Sequence, residues 1–585
     1  MKRLAPRETA PTRQVVIAAL TLLVLGGVGA LQAGRAGGEF MFDLEQERPA
    51  LTRVAPAVFD PHTPRLARRV FVVIIDGLRL DKSYELPFID GLRRRGVDGE
   101  AQSHYPTWSR PNYVSILTGV PPSASGVRTN HHSTPVALDS LMDRAKAAGL
   151  TTGSATDYDV LPRLFLRART PRTGELVPGV VPVPAPASDD EDDHTDEDAD
   201  NLDVATDKEV AAAVRAPDAN LQSPFDDARY APWPGGFSEA GDALTTGNTE
   251  LVVLLLGAVD LAGHRHGGDS AQYRDAVLIA DRALSRALAR IDLEHDAVII
   301  TSDHGHTDRG GHGGVEPEVL TVPLIAAGAG IKPDAQAIDA RLIDVAPTVA
   351  ALLGIAAPGH GLGRTLTEIL AIDTATSVSR QVADTQRLTM TRAVVAGAEA
   401  TAEIDVLENR AMRIGLVVCG AALAIALATL LIRRRVLRLD LRVLLVSVPA
   451  FFVVYYGLIG LLGQRFSPSL LPAKGHLAAT MAQYGLAGLG VQLLFSLWML
   501  RSQRTLAERL ATANGIAWMG LMLAMVPAGF AWAFFPPPYV AVPPPLWLVL
   551  IPAVEVAVAC AAASVALTLM VEVIVFASRA WHKPR

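Results

Sequence analysis

The chain has 585 residues, half of them apolar, with a formal net charge of −7 and a mean hydropathy of +0.27. That length exceeds one domain and that hydropathy excludes a wholly soluble protein, so a membrane part is expected beside a globular one. Ten acidic residues between 189 and 203 account for more than the whole negative balance, and the remainder carries no broad basic surface, which argues against nucleic acid as a partner.

Residues 1–14 are basic and precede an apolar run at 15–34 of the roughly 20 residues that span a bilayer, read as an uncleaved anchor with a cytoplasmic N-terminus. From 60 to 395 the pattern is globular. The short runs VFVVIID (70–76), LVVLLLG (251–257), DAVIIT (296–301) and VPLIAAG (322–328) suit strands buried on both faces, so the expected class is α/β, a sheet covered by helices. Residues 160–247, rich in Pro, Asp and Gly and containing the acidic run, read as an inserted cap or a partly disordered excursion. Between 412 and 577 lie about five more apolar runs, which predict a C-terminal α-helical transmembrane domain, and residues 578–585 form a basic tail. The connectors RRRVLRLDLR and RSQRTLAER are Arg-rich, whereas QRFSPSLLPAKGH is weakly basic and PPPYVAVPPP uncharged. The positive-inside rule puts the Arg-rich ones in the cytoplasm with both termini. The expectation is a multi-pass protein of the plasma (inner) membrane with its globular domain extracytoplasmic, or periplasmic. Cys419 and Cys560 both fall inside apolar runs and read as packing or lipid-facing residues rather than a disulfide.

Acidic groups recur at the carboxyl ends of the predicted strands, where open α/β sheets bind ligands. Asp76 closes the first run, Asp303 and His304 follow DAVIIT, and Asp260 with His264 follows LVVLLLG. His312 comes from the glycine-rich loop GGHGG, whose backbone can approach a ligand closely. Singly, each has a plain structural reading as a cap, a turn or one face of a helix. Jointly they supply what two divalent cations need. The mixed Asp/His set suits zinc, with manganese as the second choice. His266 and His306, adjacent to stronger candidates, are set aside as decoys. Two such ions clamp the attacking and leaving oxygens of a displacement at phosphorus, and a hydroxyl held beside one of them is activated as nucleophile. In PTWSRPNYVSILTG, Pro111 suits a first helical position. That places Ser109 where the helix N-terminus faces an anion, with Thr107 further upstream in extended chain.

PTWSRPN, LTG at 117–119, SGVRTN at 125–130 and SDHGHTDRGGHGG resemble the alkaline phosphatase superfamily across roughly residues 68–355. Within it the type I phosphodiesterase/nucleotide pyrophosphatase branch and the glycosylphosphatidylinositol ethanolamine-phosphate transferases are most similar. The resemblance implies an alkaline-phosphatase-like sheet, Ser109 as nucleophile and Asn130 as phosphate-binding asparagine. It further implies one ion held by Asp76, Ser109, Asp303 and His304, and the other by Asp260, His264 and His312. Tyr113 stands where the sulfatase motif requires Arg, which disfavours sulfate esters. The expected function is a metal-dependent phosphodiesterase or phosphotransferase acting through a phosphoserine on lipid or glycan head-group phosphoesters. A phosphoethanolamine-type transferase rather than a hydrolase is the alternative within that class. A transporter or scaffold carrying an inactive phosphatase-like domain is the alternative outside it.

Overall fold

The computed structural model describes residues 12–46, 49–130, 132, 134–158, 160–168, 221–440, 442, 445–446, 448–461, 469, 484–488, 490–491, 494, 498, 505–534 and 573. The acidic run at 189–203, most of the third C-terminal apolar run and nearly all of the fifth lie outside them.

The centre is a seven-stranded mixed sheet: β1 (Arg69–Ile75), β2 (Gly96–Gln102), β3 (Thr152–Thr156), β4 (Asp227–Tyr230), β5 (Leu251–Leu256), β6 (Asp296–Thr301) and β7 (Thr321–Gly328). The spatial order is β2-β7-β6-β1-β5-β3-β4. β1 pairs in parallel with β5 and β6, and β3 with β5 and β4, while β7 runs antiparallel to both β6 and β2. Every residue of β1, β5 and β6 is buried, as the uninterrupted apolar runs predict for strands covered on both faces. The two cores are the alternate side chains of those strands: Val70, Val72 and Ile74 face one layer of helices, and Phe71, Val73 and Ile75 the other.

The structure extends the sequence reading at two places. The stretch 160–247 is not wholly an insertion: β4 is the edge strand of the main sheet, and the helix Gly235–Thr246 packs Phe237, Ala240 and Leu244 into one of its cores. DARY offers β4 no long apolar run because an edge strand is only half covered, and all four of its residues are half-buried. The globular and membrane parts are also continuous with each other. One 60-residue helix, Thr374–Arg433, runs from the globular domain straight through the first C-terminal apolar run.

Helices are numbered here as α1 (Thr12–Gln46), α2 (Ser109–Thr118), α3 (Ala258–His266), α4 (Ala271–Ala287), α5 (Val345–Leu353), α6 (Thr374–Arg433), α7 (Val448–Leu461) and α8 (Leu506–Phe534). Among the described residues α6 is the one helix long and apolar enough to cross a membrane. Its apolar half lies antiparallel to α8. Arg413 Nε donates to the Ala533 carbonyl at one end, and Arg438 N, just past α6, donates to the Ala511 carbonyl at the other. Asn514 of α8 then joins three segments by donating to the carbonyls of Val15 in α1 and Val436.

Candidate active site

Three neighbouring parallel strands deliver most of the site. Asp76 leaves β1, Asp303 and His304 leave β6, and α3, which starts just beyond β5, carries Asp260 and His264 one turn apart. The helix reading of that pair is therefore correct and does not remove it from the site, because i and i+4 side chains lie on one face.

α2 opens at Ser109 itself, two residues earlier than Pro111 predicted. None of the first four N–H groups of a helix has an intrahelical partner, so proline is tolerated throughout the first turn and does not mark its first residue. Asn112 anchors the incoming chain: its Nδ2 donates to the carbonyls of His104, Pro106 and Trp108, and its Oδ1 accepts from His104 N. The helix stops at Gly119, whose φ of 72° is the left-handed cap. Ser109 Oγ, at the helix mouth, lies 3.1 Å from His304 Nε2. Thr107 has a different task. Its Oγ1 accepts from Gly313 N at 2.8 Å and donates to the Gly314 carbonyl at 2.9 Å, so its hydroxyl is occupied in holding the loop that carries His312. Asn130 sits beside the same helix start, its Oδ1 accepting from Arg110 N at 3.1 Å. That contact identifies the amide oxygen and leaves Nδ2 as a donor next to Ser109.

Hydrogen bonds assign the histidine tautomers. His304 Nδ1 donates to the Gly305 carbonyl and His312 Nδ1 to the Thr107 carbonyl, so in each neutral ring Nε2 presents a lone pair. His306 is the reverse: its Nδ1 accepts from Gly311 N, and its Nε2 donates to Asp260 Oδ1 at 2.8 Å. In that tautomer both His306 ring nitrogens are engaged, and the residue is not a bystander. It is fully buried in the site and orients a carboxylate. One local hint is Gly263, where a Cβ would stand 2.4 Å from the His306 ring. Exposed His266 takes no part. Tyr113 and Tyr158 were also invisible as site residues: the Tyr113 hydroxyl donates to Asp76 Oδ2 and contacts the Tyr158 hydroxyl.

Lone pairs meet in two groups. His304 Nε2 faces Ser109 Oγ at 3.1 Å, Asp303 Oδ2 at 3.2 Å and Asp76 Oδ1 at 3.4 Å. His264 Nε2 faces His312 Nε2 at 2.9 Å and Asp260 Oδ2 at 3.3 Å, with Asp260 Oδ1 at 3.5 Å from His312 Nε2. Tetrahedral ligands bonded at about 2.0–2.1 Å stand about 3.3 Å from one another, so both groups have the spacing of a zinc-type donor shell. The electrostatics agree. Asp76 Oδ1 and Asp303 Oδ2 are buried and accept no hydrogen bond. Burial, with Asp303 and Asp260 nearby, pushes the Asp76 carboxyl well above its ordinary range, and burial likewise raises Asp303. Burial would raise Asp260 too, but His264, His306 and His312 hold it well below. Burial lowers His306 to about 4, and burial with His304 alongside holds His312 well below its ordinary value. Imidazoles held neutral at His306 and His312, beside buried Asp76 and Asp303 oxygens without a hydrogen bond, are what a cation-binding centre requires.

The type I phosphodiesterase/nucleotide pyrophosphatase family matches residues 70–320. The GPI ethanolamine phosphate transferase 1 of Mus musculus is 28% identical over 359 residues, 55% of this chain and 35% of its own length. That of Saccharomyces cerevisiae is 26% identical over 311 residues, 50% of this chain and 30% of its own. The match thus spans about a third of these curated relatives. Among solved structures, alkaline phosphatase PafA aligns at 14% identity and a TM-score of 0.36, covering 53% of this chain and 100% of its own. The C-terminal periplasmic domain of EcEptC from Escherichia coli, in complex with Zn, aligns at 12% identity and a TM-score of 0.34, covering 55% and 91%. The stretch that matches the type I phosphodiesterase/nucleotide pyrophosphatase family, residues 70–320, contains the strand-end carboxylates, Ser109 and all four site histidines.

Proposed function

We propose that the chain is a membrane-anchored, metal-dependent phosphodiesterase or phosphotransferase that works through a phosphoserine at Ser109, on lipid or glycan head-group phosphoesters. The observation that carries this reading is the position of Ser109 Oγ, at the mouth of α2 and 3.1 Å from the histidine at the centre of a carboxylate–imidazole donor set.

Asp76, Asp303 and His304 with Ser109 would hold one divalent ion, and Asp260, His264 and His312 the other. Zinc suits these donors better than manganese. Bound there, the ions would lower the hydroxyl pKa and neutralise charge gathering on the phosphoryl oxygens. The chain's own part is positioning. Ser109 Oγ forms the new bond to phosphorus while the ester oxygen opposite leaves; the serine proton goes to solvent and the leaving oxygen takes one up. Asn130 Nδ2 donates to the phosphoryl oxygens, with the positive end of the α2 dipole behind it. Attack by water on the phosphoserine completes a hydrolysis, and attack by an alcohol completes a transfer. Similarity to proteins named GPI ethanolamine phosphate transferases supports the second outcome and a phosphoethanolamine-type group. The apolar half of α6, with the charge pattern of the connectors, supports a multi-pass membrane protein whose catalytic domain is extracytoplasmic.

The test uses purified full-length protein, a chromogenic phosphodiester and the matching monoester, with and without chelator. Turnover that prefers the diester, stops with chelator and is lost in Ser109→Ala, while that variant still binds metal, is the expected result. Metal-dependent turnover that survives Ser109→Ala would overturn the assignment of the nucleophile.

A further inference from the structure

The loop carrying His312 has little side-chain packing of its own. Gly310, Gly311 and Gly313 all have positive φ, up to 111° at Gly313, and a Cβ on Gly313 would stand 2.4 Å from Trp108 Nε1. A chain without side chains is placed by its backbone hydrogen bonds. From one side those come from Thr107: its carbonyl accepts from His312 Nδ1 at 2.7 Å, and its hydroxyl bridges Gly313 N and the Gly314 carbonyl. From the other they come from a residue 155 positions away. Gly314 N donates to Ser469 Oγ at 2.7 Å, and Ser469 Oγ donates to Glu316 Oε2 at 2.7 Å. Ser469 is fully buried.

Ser469 belongs to QRFSPSLLPAKGH, the connector between the second and third C-terminal apolar runs. Independently of these contacts, its low charge assigns that connector to the same side of the membrane as the catalytic domain. We propose that Ser469 is a positioning residue, through which the membrane domain docks on the catalytic domain and holds the His312 loop in ligand geometry. The proposal rests on the metal-site reading above. Ser469 and Thr107 hold the N–H and the carbonyl of one residue, Gly314, and the Thr107 carbonyl in turn keeps the His312 proton on Nδ1 so that Nε2 points at His264 and Asp260. Releasing one grip lets the loop shift, and the ligand it carries shifts with it. An enzyme built this way completes its second metal position only when its membrane domain is seated, which suits a substrate presented at the bilayer surface.

Full-length protein in detergent, loaded with zinc, is compared as wild type, Ser469→Ala and Ser469→Thr, and zinc release to a chromogenic chelator is followed. Loss of a direct partner of a metal-ligating histidine typically weakens binding about 10- to 100-fold, and Ser469 acts one link further out, so about tenfold faster release of one zinc per chain is expected in Ser469→Ala. Ser469→Thr, which keeps the hydroxyl, restores slow release, and the unfolding midpoint stays put in both. Release from Ser469→Ala at the wild-type rate would overturn the proposal. Should the alanine variant fail to fold, a pair of cysteines at 469 and 316, in a chain with Cys419 and Cys560 replaced by serine, is treated with a short bis-maleimide. An intramolecular cross-link is expected, and its absence also overturns the proposal. The cross-link needs neither metal nor activity. A cysteine pair that cross-links, in a protein whose wild type never binds zinc, would refute the metal-site reading and the positioning role while keeping the docking.

Discussion

Asp76 stands buried at the end of β1, one carboxylate oxygen held by Tyr113 and the other facing His304 and Asp303 without a hydrogen bond. Burial and the neighbouring carboxylates raise its pKa above the ordinary value of 3.8, so its charged form destabilises the metal-free fold. In linkage terms the native state holds a proton that the unfolded state has lost. The penalty is absent below pH 3.8, where both states are protonated, and grows as pH rises through and above the ordinary value. Asp76→Asn is therefore expected to raise the unfolding midpoint of the chelated protein at neutral pH, by the order of 1–3 kcal/mol that an unsatisfied buried polar group costs, while abolishing turnover. Thermal unfolding of the two chelated proteins across pH 4 to 8 checks this: the gain must shrink toward the acid end. Thr107 teaches a complementary lesson. Two hydroxyls two positions apart look interchangeable on paper, yet one faces the donor set and the other clamps a loop.

At the scale of elements, α6 is the unexpected feature. Its 60 residues make a rod of about 90 Å, and its first turns are fastened to the catalytic domain by buried charge. Asp373 caps the start, with Thr376 N donating to its side chain. Arg387 donates to the carbonyls of Gly361 and Gly363 and to Asp384, whose other oxygen accepts from Thr365 N. Arg380 adds a bond to the Ile355 carbonyl. Because the helix is continuous, this fastening fixes the catalytic domain relative to the apolar half of the rod. Arg387→Met leaves Asp384 and two carbonyls buried without their partner, so a loss of about 3 kcal/mol from the docking is expected. Limited proteolysis should then cut between the domain and α6, around 366–373, at protease levels that spare the wild type. Equal resistance in both proteins would show that apolar contacts alone hold the helix.

Across the whole molecule, the segments joined by Asn514 are those that the sequence marks as cytoplasmic: the start of α1, the RRRVLRLDLR connector and the start of α8 after RSQRTLAER. At the opposite end of the same helices Arg413 meets Ala533, and Arg410 stacks over Phe534 at 5.6 Å. The charge rule and the packing thus sort the chain into the same two sides. In intact cells, single cysteines introduced at exposed Tyr84 or Ile338 of the catalytic domain are expected to react with a membrane-impermeant maleimide. A cysteine at exposed Leu439 should react only after permeabilisation. The opposite pattern would invert the topology.

The sequence by itself determined the α/β class, the strands that carry the site and the candidate ligands, because long apolar runs ending in Asp or Asp-His are local signals and a two-metal donor set draws on few residue types. It also supplied Ser109 and Asn130, though only through a resemblance. Only the tertiary structure decided the rest. β4 was missed because an edge strand needs no apolar run. His306 gained its place because a tautomer depends on which backbone N–H lies opposite each ring nitrogen. Tyr113, Tyr158 and Ser469 entered because contacts between residues 37 to 155 positions apart leave no trace in local periodicity. Local order is written in spacing, whereas the second ring of support around a site exists only once distant segments have packed.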